Sequence, residues 1–162
     1  MLQYRYKGSR VAYTANFKHI RLSKEDFMIR IIYGPKGSGK TKQLIDQANA
    51  EAGSIAGESV FISDTTRYMF DLKRNIRFID LTEFNIAGED AFCGFIKGVI
   101  AANRDNEYLY IDGASRIAGK SLSDMAEFFY MLDKVSERLN LKITIVCSAA
   151  KEDLPPFIAK YL

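Results

Sequence analysis

Short apolar runs recur along this chain and alternate with stretches of helical periodicity. Met28-Ile29-Arg30-Ile31-Ile32-Tyr33 is the first such run and predicts a buried strand over 29–33. A helix follows over 39–52, and Gly53 and Gly57 bracket the next turn. Ser59-Val60-Phe61-Ile62-Ser63 reads as a strand, 65–73 as a short helix, and Ile76-Arg77-Phe78-Ile79-Asp80 as another strand. Phe92, Phe95, Ile96, Val99 and Ile100 fall on one helical face and predict a helix over 90–103. Tyr108-Leu109-Tyr110-Ile111 is a strand ending at Asp112. Leu122, Met125, Phe129, Leu132 and Leu139 form the stripe of a further helix, with Ser121 or Ser123 as its cap. The last strand covers 141–147, and Pro155-Pro156 is expected to end regular structure.

Five apolar strands separated by crossover segments predict an α/β fold. The expected architecture is a three-layer sandwich, with a mainly parallel five-stranded sheet between two helix layers. Such sheets bind ligands beyond the carboxyl ends of their strands. The residues expected there are the segment 34–41, Asp64, Asp80 or Glu83, Asp112 and Ser148.

The first of these segments carries specific chemistry. Gly34-Pro35-Lys36-Gly37-Ser38-Gly39-Lys40-Thr41 fits the phosphate-binding pattern G-x-x-x-x-G-K-[ST] at every specified position, between a predicted strand and a predicted helix. A loop of this kind turns backbone N–H groups inward, and the following helix adds its positive end. All eight residues are candidate nucleotide contacts. Lys40 is expected to reach the β- and γ-phosphates, and Thr41 to place its hydroxyl on Mg²⁺. Asp112, at the end of Tyr-Leu-Tyr-Ile, is the candidate second Mg²⁺ residue; the plainer reading is a strand-ending Asp-Gly turn.

Composition narrows the setting. With 162 residues and 48% apolar content, the chain suffices for one domain with a sizeable core. No apolar run approaches the ~20 residues that span a bilayer, so membrane insertion is not expected. The N-terminus lacks a signal-peptide layout, and Cys93 and Cys147 read as buried free thiols, so a cytoplasmic protein is expected. The net charge of +3 is unevenly placed: 1–27 holds Arg5, Lys7, Arg10, Lys18, Arg21 and Lys24 against Glu25 and Asp26, leaving the remainder slightly acidic. Nucleic acid as a partner therefore has no support from the charge of the domain.

The chain divides into a leader, 1–27, and a nucleotide-binding domain, 28–162. Two readings of the leader stand side by side. Lys24-Glu25-Asp26 is encodable by a bacterial ribosome-binding sequence, which would make Met28 the natural start and the leader mistranslated upstream sequence. Alternatively, Tyr4, Tyr6, Val11, Tyr13, Ala15 and Phe17 alternate as in a hairpin about Lys7-Gly8-Ser9-Arg10. The only histidine, His19, lies in the leader, so histidine catalysis is not expected in the domain.

The stretch 28–147 resembles a P-loop NTPase, with GPKGSGKT as the Walker A loop and YLYID as the Walker B strand. Strands between the two motifs make it similar to the additional-strand division, which includes RecA-like and AAA-type ATPases. Its layout also resembles small stand-alone bacterial ATP-binding proteins labelled twitching-motility-type ATPases. The resemblance implies an ATP- and Mg²⁺-binding hydrolase. Many family ATPases place a catalytic Glu directly after the Walker B Asp, where this chain has Gly113. Asp64, Asp80 and Glu83 are then the candidates to orient the attacking water. Arg67, Arg74, Arg77 and Arg116 are candidate transition-state arginines, Arg116 the best placed because it closely follows Asp112. Ser148 is a candidate γ-phosphate sensor. The histidine motifs and separate N-terminal domain of pilus-retraction motors are missing, so a motor role does not follow. No guanine-specific N/T-K-x-D motif follows the later strands, which favours ATP over GTP.

Three functions are compatible with these residues. One is an ATPase or ATP-driven switch acting on a macromolecular partner. Another is a small-molecule kinase, for which Asp64-Thr65-Thr66-Arg67-Tyr68 faintly echoes thymidine kinases, although their four-cysteine zinc site and Asp-Glu pair are missing. The third is an ATP-binding module with little hydrolysis.

Overall fold

The structure is a computed structural model that describes residues 28–162. Both readings of 1–27 lie outside the described residues. Five strands, β1 (Ile29–Gly34), β2 (Glu58–Ser63), β3 (Ile76–Asp80), β4 (Asn106–Ile111) and β5 (Lys142–Ser148), form one sheet in the order β1-β5-β4-β2-β3. All four pairings are parallel. The helices are α1 (Lys40–Glu51), α2 (Glu89–Ala102), α3 (Ala114–Ala118) and α4 (Ala126–Leu139).

Alternation along each strand divides the core between two faces. Ile32, Phe61, Tyr110 and Val146 pack with Leu44, Ile45 and Ala48 of α1. Ile31, Ile62, Ile111 and Ile145 pack on the other face with Phe92 and Ile96 of α2 and Phe128 and Leu132 of α4. The Phe92 and Phe128 rings stack with centroids 5.2 Å apart. Each such side chain, fully buried, contributes about 1.5–3 kcal/mol. Helices on both faces are what allow the strands to carry apolar side chains on both sides.

This alternation also aims the strand ends. Asp112 follows Tyr110 by two positions and so shares its face, the side that carries α1. Its backbone N–H donates to the Ile62 carbonyl at 2.9 Å, extending the ladder one residue beyond β4.

Several expectations need correction. Pro155-Pro156 does not end regular structure: Pro156–Tyr161 is a 3₁₀ helix with Pro at its start, where a missing N–H costs nothing. Its Ile158 and Tyr161 are buried in the larger core, and the Tyr161 hydroxyl donates to Asp133 at 2.8 Å. Neither Ser121 nor Ser123 caps α4, which begins after Met125; the Ser121 hydroxyl bonds Asp124 instead, at 2.6 Å. Leu139 leaves the core stripe and is 43% exposed at the last position of α4. The segment expected as a short helix over 65–73 is a 3₁₀ helix, Thr66–Asp71, with no buried residue. α3 went unpredicted, because five residues are too few for periodicity to register. Among the described residues, no helix is long and apolar enough to cross a membrane.

Candidate functional site

The segment between β1 and α1 wraps the carboxyl end of the sheet's edge strand. Gly34, the last residue of β1, has φ 155°, and a Cβ there would lie 2.7 Å from the Ser38 hydroxyl. Gly39 caps α1 at φ 81°, and Gly37 is also left-handed at φ 83°. Within the loop, the Ser38 N–H donates to the Pro35 carbonyl at 3.3 Å, while no acceptor among the described residues takes the N–H of Lys36, Gly37 or Gly39. The first turn of α1 adds N–H groups that have no intrahelical acceptor. Pro35, Lys36, Gly37, Ser38 and Gly39 are all exposed. The loop is therefore a run of donors open to solvent at the start of the helix.

Lys40 is different in being 7% exposed. Its ammonium folds back over the loop, donating to the Pro35 carbonyl at 2.6 Å and to Ser38 Oγ at 3.4 Å. A cation held this way is satisfied by groups that an anionic ligand in the loop would replace.

Thr41 and Asp112 meet across 71 residues of sequence: Thr41 Oγ1 lies 3.3 Å from each Asp112 carboxylate oxygen. The pairing follows from Asp112 sharing the α1 face and Thr41 opening α1. Asp112 is 2% exposed. Burial pushes its pKa up; Arg116 works against that rise, Asp64 adds to it, and hydrogen bonds from Thr41 and the Gly113 backbone oppose it.

Beside this pair lies an ion pair. Arg116 of α3 donates to both oxygens of Asp64, at 2.8 Å from Nε and 2.7 Å from Nη2. The same Nη2 is 4.0 Å from Asp112 Oδ2. Arg116 is held protonated chiefly by its hydrogen bond to Asp64. Gly113 accounts for the space: its φ is 82°, and a Cβ would fall 2.5 Å from Arg116 Nη2 and 2.7 Å from Asp64 Oδ1. A side chain at 113 would meet the Asp64–Arg116 pair unless that pair shifted.

The sheet order decides which candidates converge. Lys40, Thr41, Asp112, Asp64 and Arg116 come together around the ends of β1, β4 and β2. Ser148 pairs in register with Gly34, beside the loop, and is exposed. Asp80 ends β3, the edge strand farthest in order from β1, and Glu83 follows it. Asp80 is turned to local work, its carboxylate accepting from Thr82 N–H at 2.9 Å and Thr82 Oγ1 at 2.8 Å. Glu83 is exposed on the 3₁₀ turn Leu81–Phe84. The structure does not bring either to the loop. Arg67 lies over the Tyr68 ring at 5.4 Å, and Arg74 and Arg77 are exposed near β3.

Sequence reasoning passed over Ser63. Its hydroxyl is buried without a hydrogen-bond partner among the described residues, and alternation from Phe61 places it on the α1 face, as it does Asp112. A polar residue directly after the apolar run Val60-Phe61-Ile62 was the available signal. Among the described residues no three His, Cys, Asp or Glu side chains cluster as a metal site. A cation here would thus depend on oxygens beyond the protein's own.

No protein-family model matches this sequence, and a search of curated proteins found no significant match. The all-parallel α/β sheet and its strand order stand on the structure alone.

Proposed function

We propose that this protein binds ATP with Mg²⁺ in the loop 34–41 and hydrolyses it slowly, as an ATP-driven switch acting on a macromolecular partner. The observation that carries the reading is the contact between Thr41 and Asp112, with Lys40 buried beside it. A glycine-rich loop alone is compatible with an ordinary turn. A hydroxyl opening the helix, facing a buried carboxylate from a different strand, has a specific use in P-loop proteins. The position of β5 between β1 and β4 supports the likeness to the additional-strand division.

The residues fit Mg²⁺ by donor chemistry. Thr41 and Asp112 offer a neutral oxygen and a carboxylate, the ligands a hard cation prefers, and phosphate and water oxygens would complete the shell. Burial disfavours the Asp112 anion, and a divalent ion beside it would restore that charge. When bound, Mg²⁺ neutralises charge on the β- and γ-phosphates.

The chain's own groups divide the remaining work. The exposed N–H groups of the loop bind phosphate oxygens, and Lys40 exchanges the Pro35 carbonyl for the γ-phosphate. Asp64 is the carboxylate available to orient water, since Gly113 offers none. Both of its oxygens are engaged by Arg116, so Arg116 competes with water for Asp64. This engagement is the reason to expect slow basal hydrolysis. A partner that draws Arg116 toward the phosphates would release Asp64 and supply transition-state charge in one movement.

Phosphate release from ATP, measured with and without nucleosides, tests the reading. Mg²⁺-dependent release that Asp64→Asn lowers supports it. Phosphorylated nucleoside as the product would select the kinase instead. Tight ATP binding with no release would select the binding module.

A further inference from the structure

A hollow of about 730 Å³ opens at the far end of the sheet from the loop, between the C-terminal ends of α2 and α4. Lys97 and Arg104 line it from the α2 side, Lys134 and Arg138 from α4, and no Asp or Glu lines it. None of the four forms a salt bridge among the described residues; Lys134 rests 5.3 Å from the centroid of the Tyr130 ring. The segment after residue 27 is slightly acidic overall, so this concentration of cations is not average composition. Helix dipoles favour cations at C-termini, but only within the last turn. That accounts for Arg138 and leaves Lys97 and Lys134, each five residues before its helix end, without such a role.

Between the cations the lining is mixed, with Asn103, Asn106 and Asn140 beside apolar side chains. Ile100, Val135 and Leu141 contribute to it, and Leu139, displaced from the core, stands at the surface. We infer that this hollow docks an acidic segment of a protein partner, whose carboxylates meet the four cations while an apolar residue sits on Leu139 and Val135. The volume is that of a small-ligand pocket and accommodates a few side chains. Single-stranded nucleic acid fits less well, because no aromatic residue lines the hollow to stack a base. A long phosphate track is also interrupted: beyond Arg104 the adjoining hollow carries Glu58, Asp105 and Glu107. The inference gives the chemistry of the macromolecular partner in the preceding reading, and its test uses no nucleotide.

The test is fluorescence anisotropy of a short labelled peptide of glutamate and leucine, with an unlabelled single-stranded oligonucleotide as competitor. The wild-type chain is expected to bind the peptide. Lys134→Glu with Arg138→Glu, both exposed positions, should weaken binding about tenfold or more, and raising salt should do the same. Leu139→Asp should weaken it through loss of the apolar contact. Lys40→Ala should leave it unchanged, which separates failure here from failure of the nucleotide reading. The inference is overturned if the peptide does not bind, if these variants bind it as wild type does, or if the oligonucleotide displaces it and binds more tightly.

Discussion

Arg116 grips Asp64 through two parallel hydrogen bonds, 2.8 and 2.7 Å long, directly over the backbone of Gly113. The pair bridges the ends of β2 and β4 and occupies the space a side chain at 113 would need. Gly113→Ala combines a left-handed backbone with a Cβ 2.5 Å from the guanidinium. It should destabilise the protein by about 1–3 kcal/mol. Urea unfolding measures this. A Gly113→Ala protein as stable as wild type would show that the ion pair moves aside at no cost.

Asp112 makes a prediction of opposite sign. Its folded pKa is raised, chiefly by burial. The folded state therefore holds this proton more tightly than the unfolded chain does. The associated stability is complete below the ordinary carboxylate pKa and is lost as pH rises through the higher folded value. At neutral pH the ligand-free protein carries the cost of a buried anion. Asp112→Asn should raise the melting temperature at pH 7, and the gain should shrink as pH falls through the carboxylate range. The same variant should weaken Mg²⁺-dependent ATP binding. Thermal unfolding across pH, without nucleotide, reads the first effect.

Catalysis and binding should separate at Asp64. If Asp64 orients water, Asp64→Asn lowers phosphate release by about a hundredfold or more. ATP affinity should change by only a few-fold, because the loop and Lys40 remain intact. Titration of ATP into the variant, beside its turnover, distinguishes this from a purely structural role, which would move both.

The C-terminal turn should contribute to stability. Ile158 is fully buried in the larger core. Ile158→Ala should cost about 2–5 kcal/mol, measured by denaturant unfolding. A cost near zero would mean that Pro156–Tyr161 is not anchored.

The sequence showed the strands because their central positions are mostly apolar and buried, with few polar residues such as Arg30 and Arg77 among them. It showed the loop because its glycines, Lys40 and Thr41 fall at the fixed spacing of the phosphate-binding pattern. Asp112 was legible for a related reason, as a carboxylate ending a strand whose neighbours are all apolar. Other features depended on three dimensions. The pairing of Asp64 with Arg116 needs β2 and β4 to be neighbours, which only the strand order decides. Glu83 looked equivalent to Asp64 along the chain, since both follow a strand, but β3 lies at the far edge. Pro155-Pro156 signalled an end because proline cannot continue a strand or helix interior. It is equally suited to starting a helix, and only the apolar residues Ile158 and Tyr161 hinted at that alternative. Leu139 matched the stripe of α4 but fell in its last turn, where the helix has already left the core.

The proposed function depends first on Lys40 and the loop around it binding the phosphates of ATP. Isothermal titration of ATP with Mg²⁺ into wild type and Lys40→Ala tests it most directly. Wild type should bind, binding should weaken when Mg²⁺ is chelated, and Lys40→Ala should lose about tenfold to a hundredfold in affinity, the worth of one hydrogen bond to a charged group. A Lys40→Ala protein that binds ATP as wild type does, or a wild type that takes up no nucleoside triphosphate, would rule out this role for Lys40 and the loop.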